Sequence, residues 1–166
     1  MTLFKFAPLT RCLSLCVATS ALLLAHTAQA QTAKPAAAPA ASAAAAASEE
    51  LAKQAAGQLA AAGWLSMLDR GNWGGAYEAS SQTFRNMVQI GQWMDSIPGV
   101  RAPFGAFESR TASTVVYKTT LPGRPDGEYV TAIFDAHFAG KKDVEELVTT
   151  VREADGQWRV IGYQPR

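Results

Sequence analysis

The sequence predicts an α+β domain in which N-terminal helices cover one face of a four-stranded antiparallel meander. Two patterns predict this class. Apolar residues recur every three or four positions as far as Ile97, and from Phe107 onward they alternate with polar residues. Turn-forming stretches at residues 120–127, 140–142 and 155–156 divide the alternating part into four strands. Helices followed by a run of short strands are typical of the α+β arrangement.

Length and composition agree with one folded domain. The chain has 166 residues, of which 48% are hydrophobic and 17% charged, and its formal net charge is +1. These values exclude a disordered or collagen-like polymer. A nearly neutral chain lacks the basic surface that binds nucleic acid, so we expect no nucleic-acid partner.

The first 30 residues resemble a secretory signal peptide. Lys5 and Arg11 precede an apolar run at residues 12–25, and an Ala-x-Ala cleavage pattern ends at Ala30. The run of about 14 residues is shorter than the roughly 20 that span a bilayer, which disfavours the alternative of a retained anchor. We therefore expect cleavage after Ala30, secretion across the inner membrane into the periplasm, and no membrane span in the released protein.

Cleavage would also change the chemistry of the chain. It would remove both cysteines, Cys12 and Cys16, and would leave His137 as the only histidine and −1 as the net charge. Disulfides are then excluded, so stability must come from packing. Zinc and copper sites use sets of Cys, His and carboxylate ligands, and we expect no metal and no other cofactor.

Residues 31–47 form an Ala/Pro-rich, low-complexity linker. Pro35 and Pro39 oppose helix in its first half, whereas the alanines that follow are compatible with an extension of the next helix. No aromatic residue is present, so there is little to bury. The folded unit is predicted at residues 48–166.

Three helices are predicted at the start of this unit. Ser48 is expected to cap the first, and Asn72 is expected to cap a short second one. A third helix begins near Gln82, and Pro98-Gly99 should end it. The apolar stripe of the first helix, which is predicted to cover the sheet, consists of Leu51, Ala55, Leu59, Ala62 and Leu65, together with Trp64 and Leu68.

Several segments of the domain carry a family resemblance. They are Gly63-Trp64-Leu65 with Asp69-x-Gly71, Gln92-Trp93, Gly105 with Ser109-Arg110, the turn from Leu121 to Val130, and the closing Asp155-Gly156-x-Trp158 to Tyr163. Together they resemble the bacterial family catalogued as domain of unknown function 4019, over nearly all of residues 49–163. The resemblance implies an exported or membrane-tethered protein without an assigned activity. It also implies a fold similar to the cone-shaped roll of the nuclear transport factor 2-like class.

A catalytic cluster follows from one choice of strand register. If Phe138 lies opposite Asp143, Asp135 lies opposite Glu146. If Tyr117 lies opposite Val130, Arg110 lies opposite His137. Arg110, Asp135, His137 and Glu146 would then share one face, where an acid can orient an imidazole as a general base. The favoured alternative is a set of charges paired on a solvated sheet face, because a slip of one residue dissolves the cluster.

A ligand pocket is a second candidate site. In a roll-type fold the helices and the concave sheet face enclose a cavity, which is the usual place for a ligand. The alternative is that its aromatic residues are ordinary core. Arg101, Arg110 and Arg124 are candidates to bind a carboxylate. The aromatic candidates for the pocket lining are Trp64, Trp93, Phe107, Tyr117 and Phe134.

Three functions are compatible with these patterns. The favoured one is a non-catalytic module that binds a small ligand or an envelope protein, because catalytic motifs are missing from the sequence. The first alternative is a metal-free isomerase or hydrolase that uses Asp135 and His137. The second is a structural envelope protein that pairs through an exposed strand edge.

Overall fold

A computed structural model describes residues 37–166 of the chain, and the predicted signal peptide lies outside these residues. The helices are α1 (Ala37–Asp69), α2 (Trp73–Glu78), α3 (Gln82–Met87) and α4 (Ile90–Arg101), followed by a 3₁₀ turn at Ala102–Phe104. The strands are β1 (Phe107–Lys118), β2 (Tyr129–Phe138), β3 (Val144–Arg152) and β4 (Trp158–Pro165). They form one antiparallel sheet in the order β1-β2-β3-β4, which confirms the α+β prediction.

Helix α1 is longer than predicted. It begins at Ala37, passes through Ser48 without a break and spans 33 residues, or about 50 Å. Alanine has the highest helix propensity, and Pro39 falls in the first turn, where its missing N–H costs nothing. The predicted cap at Ser48 is therefore wrong. All residues from 40 to 52 are exposed to solvent, and the first buried residue is Gly57.

The face that α1 turns to the sheet is shifted from the predicted one. Trp64, Leu65 and Leu68 are buried, but Leu51 and Leu59 are 64% and 74% exposed. The closest approach to the sheet is at Gly57, where a Cβ atom would lie 2.4 Å from the Cβ of Val130. Gly57 therefore lets the helix rest directly on β2 and β3.

The predicted third helix is two helices. Asn72 caps α2 as expected, since its Oδ1 accepts a hydrogen bond from the Gly75 N–H at 3.0 Å. The backbone becomes extended at Val88 and Gln89, which separates α3 from α4. Pro98 does not end α4, which runs on to Arg101. Burial of Ile97 and Arg101 on one side of α4 holds the turn that contains the proline.

Aromatic side chains pack together between the helices and the sheet. The Trp64 ring lies 5.9 Å from that of Trp93 and 5.3 Å from that of Tyr163, measured between centroids. The Trp64 indole N–H donates to the Ala76 carbonyl at 2.7 Å, and the Trp93 N–H donates to the Trp73 carbonyl at 2.8 Å. These contacts fix the aromatic core.

None of the helices within residues 37–166 combines the length and apolar character needed to cross a bilayer.

Candidate functional site

The predicted catalytic cluster does not form, because both hairpins differ from the predicted register. Tyr117 lies opposite Val130 as expected, but a bulge between Ala112 and Thr114 places Arg110 opposite Ala136 instead of His137. Asp143 has a left-handed φ of 60° after the β2–β3 turn. Beyond it, Asp135 lies opposite Glu145 and Glu146 lies opposite Phe134. Each change of one residue moves side chains to the other face of the sheet.

Asp135 and His137 therefore lie on the solvent face of the sheet. Asp135 accepts a hydrogen bond from the Ser113 hydroxyl at 3.2 Å. The His137 side chain is 46% exposed, and its Nδ1 lies 3.7 Å from Asp143 Oδ1. Neither residue lines any of the five grooves found within residues 37–166, and Arg110 and Glu146 lie on the other face of the sheet.

Arg110 and Glu146 meet instead on the face that the helices cover. There they join Asp69 of α1 and Arg101 of α4, and we call these four residues with Tyr163 the buried ionic cluster. Arg101 donates from Nη1 to Glu146 Oε1 at 2.5 Å and from Nη2 to Asp69 Oδ1 at 2.6 Å. The cluster thereby ties two helices to β1, β3 and β4.

Arg110 completes the cluster by contacting both carboxylates. It donates from Nε to Glu146 Oε2 at 2.7 Å and from Nη1 to Asp69 Oδ2 at 2.7 Å. The Tyr163 hydroxyl donates to Glu146 Oε1 at 2.9 Å and accepts from Arg101 Nη1 at the same distance. Among the described residues, no buried side-chain nitrogen or oxygen lacks a hydrogen-bond partner.

The electrostatics of the buried ionic cluster are balanced. Two cations face two anions, and these side chains are no more than 8% exposed. Burial by itself would lower the pKa of Arg101, but Tyr163, Glu146 and Asp69 outweigh it and raise that pKa. In the same way, Asp69 and Glu146 outweigh burial and raise the pKa of Arg110. Burial and the charge of Glu146 raise the pKa of the Tyr163 hydroxyl.

The buried ionic cluster has a structural role, because it holds α1 and α4 against the sheet. Its charges neutralise one another, so Arg101 and Arg110 are engaged by carboxylates of the same chain and not by a ligand. Arg124, the third arginine proposed to bind a carboxylate, donates to the Met87 sulfur at 3.1 Å on the surface. Sequence reasoning missed Asp69 and Tyr163. Both lie in segments that carry the family resemblance, but no local pattern pairs them with arginines far away in the chain.

The five predicted pocket aromatics are dispersed. Trp64, Trp93 and Phe134 are buried core residues. Phe107 is 40% exposed and lies under the Arg110 guanidinium, 4.6 Å from ring centroid to Cζ. Tyr117 is half-buried at the opposite end of β1. The five aromatics thus do not line one common cavity: Phe107 borders a groove of about 380 Å³ beside Arg101, and Trp93 borders a separate groove of about 200 Å³ beside Tyr163.

A groove of about 620 Å³ lies outside this core, between α1 and the β3–β4 hairpin. We call it the hairpin groove. Its surface is mainly apolar, and charged side chains stand at its rim. The apolar residues are Ala52, Ala56, Leu59, Ala60 and Trp158, and the polar ones are Glu49, Lys53, Arg152 and Gln157.

Glu128 organises the charged rim of the hairpin groove. Lys53 Nζ lies 2.5 Å from Glu128 Oε1, and Arg152 donates to Glu128 Oε2 at 2.9 Å. The Tyr117 hydroxyl donates to Glu128 Oε1 at 3.0 Å. The hydrogen bonds from Lys53 and Arg152 lower the pKa of Glu128 from 4.5 to about 2. Glu128 is therefore ionised at neutral pH.

The low pKa of Glu128 predicts an acid-sensitive contribution to stability. A carboxylate whose pKa is depressed by folding stabilises the protein above its unfolded pKa, and this contribution is lost as the pH falls from 4.5 toward 2. The free energy of unfolding would be measured with urea at pH 7 and at pH 3. Between these two pH values, Glu128→Gln should lose less stability than the unchanged chain. The difference should be about 1 kcal/mol, because solvent screens a partly exposed ion pair. An equal effect from Glu108→Gln, an exposed carboxylate of β1, would contradict this assignment.

Comparison with known families identifies the chain. A family model described as "Protein of unknown function (DUF4019)" matches residues 60–163. The chain belongs to this family. No curated protein and no solved structure matches the DUF4019 chain. Within the described residues there is also no group of three or more His, Cys, Asp or Glu side chains that could hold a metal ion.

The family match covers most of the candidate features of this DUF4019 protein. It runs from Ala60 to Tyr163, so it includes β1 to β3, most of β4 and the buried ionic cluster. The N-terminal part of α1, including Leu51 and Leu59, lies before it. The hairpin groove therefore combines a wall from the family domain, at Trp158, with a helix surface that precedes the match.

Proposed function

We propose that this DUF4019 chain is an exported, non-catalytic binding module whose hairpin groove takes an apolar segment of an envelope protein. The observation that carries the proposal is an open, mainly apolar groove of about 620 Å³ that lies outside the aromatic core. Trp158 gives the groove a large aromatic contact, and aromatic residues are enriched at the centres of protein interfaces. Lys53 and Arg152 are paired with Glu128 at the edge of the groove, and this partly exposed ion-pair network can orient the polar groups of a partner.

Export is part of the proposal and rests on the sequence. The charged start, the apolar run and the Ala-x-Ala pattern before Gln31 are the features that support it. A relation to the nuclear transport factor 2-like roll belongs to the same proposal. In that case the binding surface proposed here, the hairpin groove, lies outside the space that the helices and the sheet enclose.

The contacts do not favour the two alternatives. A hydrolase or isomerase needs Asp135 and His137 near a bound substrate, but both face open solvent. Pairing through a strand edge would use β1, because Ser81 donates to the Val160 carbonyl and covers part of β4. Two irregularities interrupt β1, and such bulges protect an edge from pairing.

A photo-crosslinking experiment in the native cells tests the binding role. The full chain would carry benzoylphenylalanine in place of Gln157 at the groove. We expect the recovered protein to have the mass of a chain that begins at Gln31, with a discrete cross-linked adduct. Ala60→Glu should remove the adduct, because it places a charge on the apolar surface of the groove.

The matched control carries the same cross-linker in place of Lys142, an exposed residue at the β2–β3 turn. It should give no such adduct. A protein that retains the mass of the whole chain would contradict export. Equal adducts from both positions, or an adduct that survives Ala60→Glu, would contradict binding at the hairpin groove.

A further inference from the structure

We infer that the segment that occupies the hairpin groove is helix α1 of a second copy of the chain, packed antiparallel about a two-fold axis near Ala55. The inference rests on the proposed function, because it names the occupant of the same groove. Its starting point is the solvent face of α1, which carries large apolar residues.

Helix α1 is apolar on two opposite faces. One face is buried against the sheet through Ala61, Trp64 and Leu65. On the other side, Leu51 and Leu59 are exposed and eight residues apart, so they lie on one stripe with Ala55 between them. Helices that are apolar all round are usually buried, so an exposed second apolar face indicates a surface that another element covers.

The exposed stripe continues into the hairpin groove. Leu59 belongs to both surfaces, and Ala52 and Ala56 line the groove one helical position to the side. A second helix that lies along the stripe therefore also reaches Trp158 of the β3–β4 hairpin. The small alanine side chains allow the two helices to approach closely.

The length of α1 suits pairing with itself. The midpoint of Ala37–Asp69 is Lys53, two residues from Ala55, so an antiparallel pair centred on Ala55 overlaps over almost the whole helix. The exposed arm at residues 40–50 then lies along residues 60–70 of the other copy. Gly63 is exposed there, and a Cβ atom would meet nothing within 4 Å, which leaves room for the arm.

Charge selects the antiparallel orientation. Glu49 and Glu50 are adjacent at the exposed end of the stripe. A parallel pair would place these carboxylates beside those of the other copy, whereas an antiparallel pair centred on Ala55 separates them by about 16 Å along the helix axis. Like charges at short distance disfavour the parallel form.

The area is sufficient for a weak specific dimer. A contact strip about 50 Å long and about 10 Å wide buries on the order of 500 Å² from each copy. The total of about 1,000 Å² is at the lower limit for specific interfaces. We therefore expect dissociation in the micromolar range and a dimer that exchanges its subunits.

Single cysteines test the arrangement in the full chain, with Cys12 and Cys16 replaced by serine so that no other thiol remains. Under mild oxidation, Ala55→Cys should form a covalent dimer with itself. A mixture of Leu51→Cys and Leu59→Cys should form the mixed disulfide in preference to either self-pair. A preference for self-pairs of Leu51→Cys would show the parallel form and would overturn the inference.

Sedimentation of the chain without new cysteines provides the second measurement. We expect a dimer at about 100 µM that Leu59→Glu converts to a monomer and that Val116→Glu, on the exposed outer face of the sheet, leaves intact. A monomer at this concentration overturns the inference. If that monomer still gives the cross-linked adduct from position 157 to another protein, the proposed function stands without a second copy. If it gives no adduct, both proposals fail.

Discussion

Replacement of Gly57 by alanine should destabilise the domain by about 2 kcal/mol, although alanine by itself favours a helix by about 1 kcal/mol. The added Cβ would lie 2.4 Å from Val130 Cβ and 2.9 Å from Thr150 Oγ1. Neither neighbour can retreat, because both Val130 and Thr150 are buried in adjacent strands. The substitution therefore has to lift α1 from the sheet or displace the strands.

The matched control for this prediction is Gly63→Ala in the same helix. Gly63 is exposed, and a Cβ atom there meets nothing within 4 Å, so this variant should gain about 1 kcal/mol from helix propensity alone. Urea unfolding followed by circular dichroism measures both changes, at a chain concentration below the micromolar range so that a second copy, which would cover Gly63, does not contribute. If the two variants shift the free energy of unfolding in the same direction, the close contact at Gly57 does not control the packing of α1.

The second large effect is expected at Glu146. Glu146→Gln should cost about 3–5 kcal/mol of unfolding free energy, because removal of one partner leaves an uncompensated charge in a buried ion-pair network. Arg101 and Arg110 would then share only Asp69. Tyr163 would also lose the carboxylate that accepts its hydrogen bond at 2.9 Å.

Two further variants separate charge balance from packing. Glu145→Gln, on the neighbouring and partly exposed residue of β3, should change the stability by no more than about 0.5 kcal/mol. The double variant Arg110→Met, Glu146→Leu removes one charge of each sign. It should lose much less than the sum of its single variants in a double-mutant cycle. Additive losses would show that the arginines do not depend on Glu146 for charge compensation.

Much of the fold could be predicted from local patterns. The alternation in β2 predicts that Val130, Phe134 and Phe138 point to the core, and all three are buried. Asn72 was expected to cap a short helix and does so. The hairpin before β4 was also expected, although Gly156 (φ 79°) ends a three-residue loop and not the predicted two-residue turn.

The candidate site could not be predicted in the same way. A bulge in β1 and the left-handed Asp143 each shift the register of a strand by one residue. Because side chains alternate between the two faces of a sheet, a shift of one residue moves each side chain to the other face. Arg110 and Glu146 were predicted to lie beside Asp135 and His137 on the solvent face. In the structure they lie on the buried face, beside Asp69 and Arg101. A bulge has no strong local signature, since it depends on how the two paired strands fit their surroundings.

Sequence patterns alone predicted the order of the helices and the four strands of this DUF4019 chain, because periodicity and turn chemistry act between neighbouring residues. They did not predict that α1 begins before Ser48 or that α3 and α4 are separate helices. They also identified the apolar stripe that contains Leu51 and Leu59. Only the three-dimensional packing showed that this stripe faces solvent and that four distant charges meet beneath the helices. Those outcomes depend on the register of the strands and on the close contact at Gly57, and both are set by contacts between residues far apart in the chain.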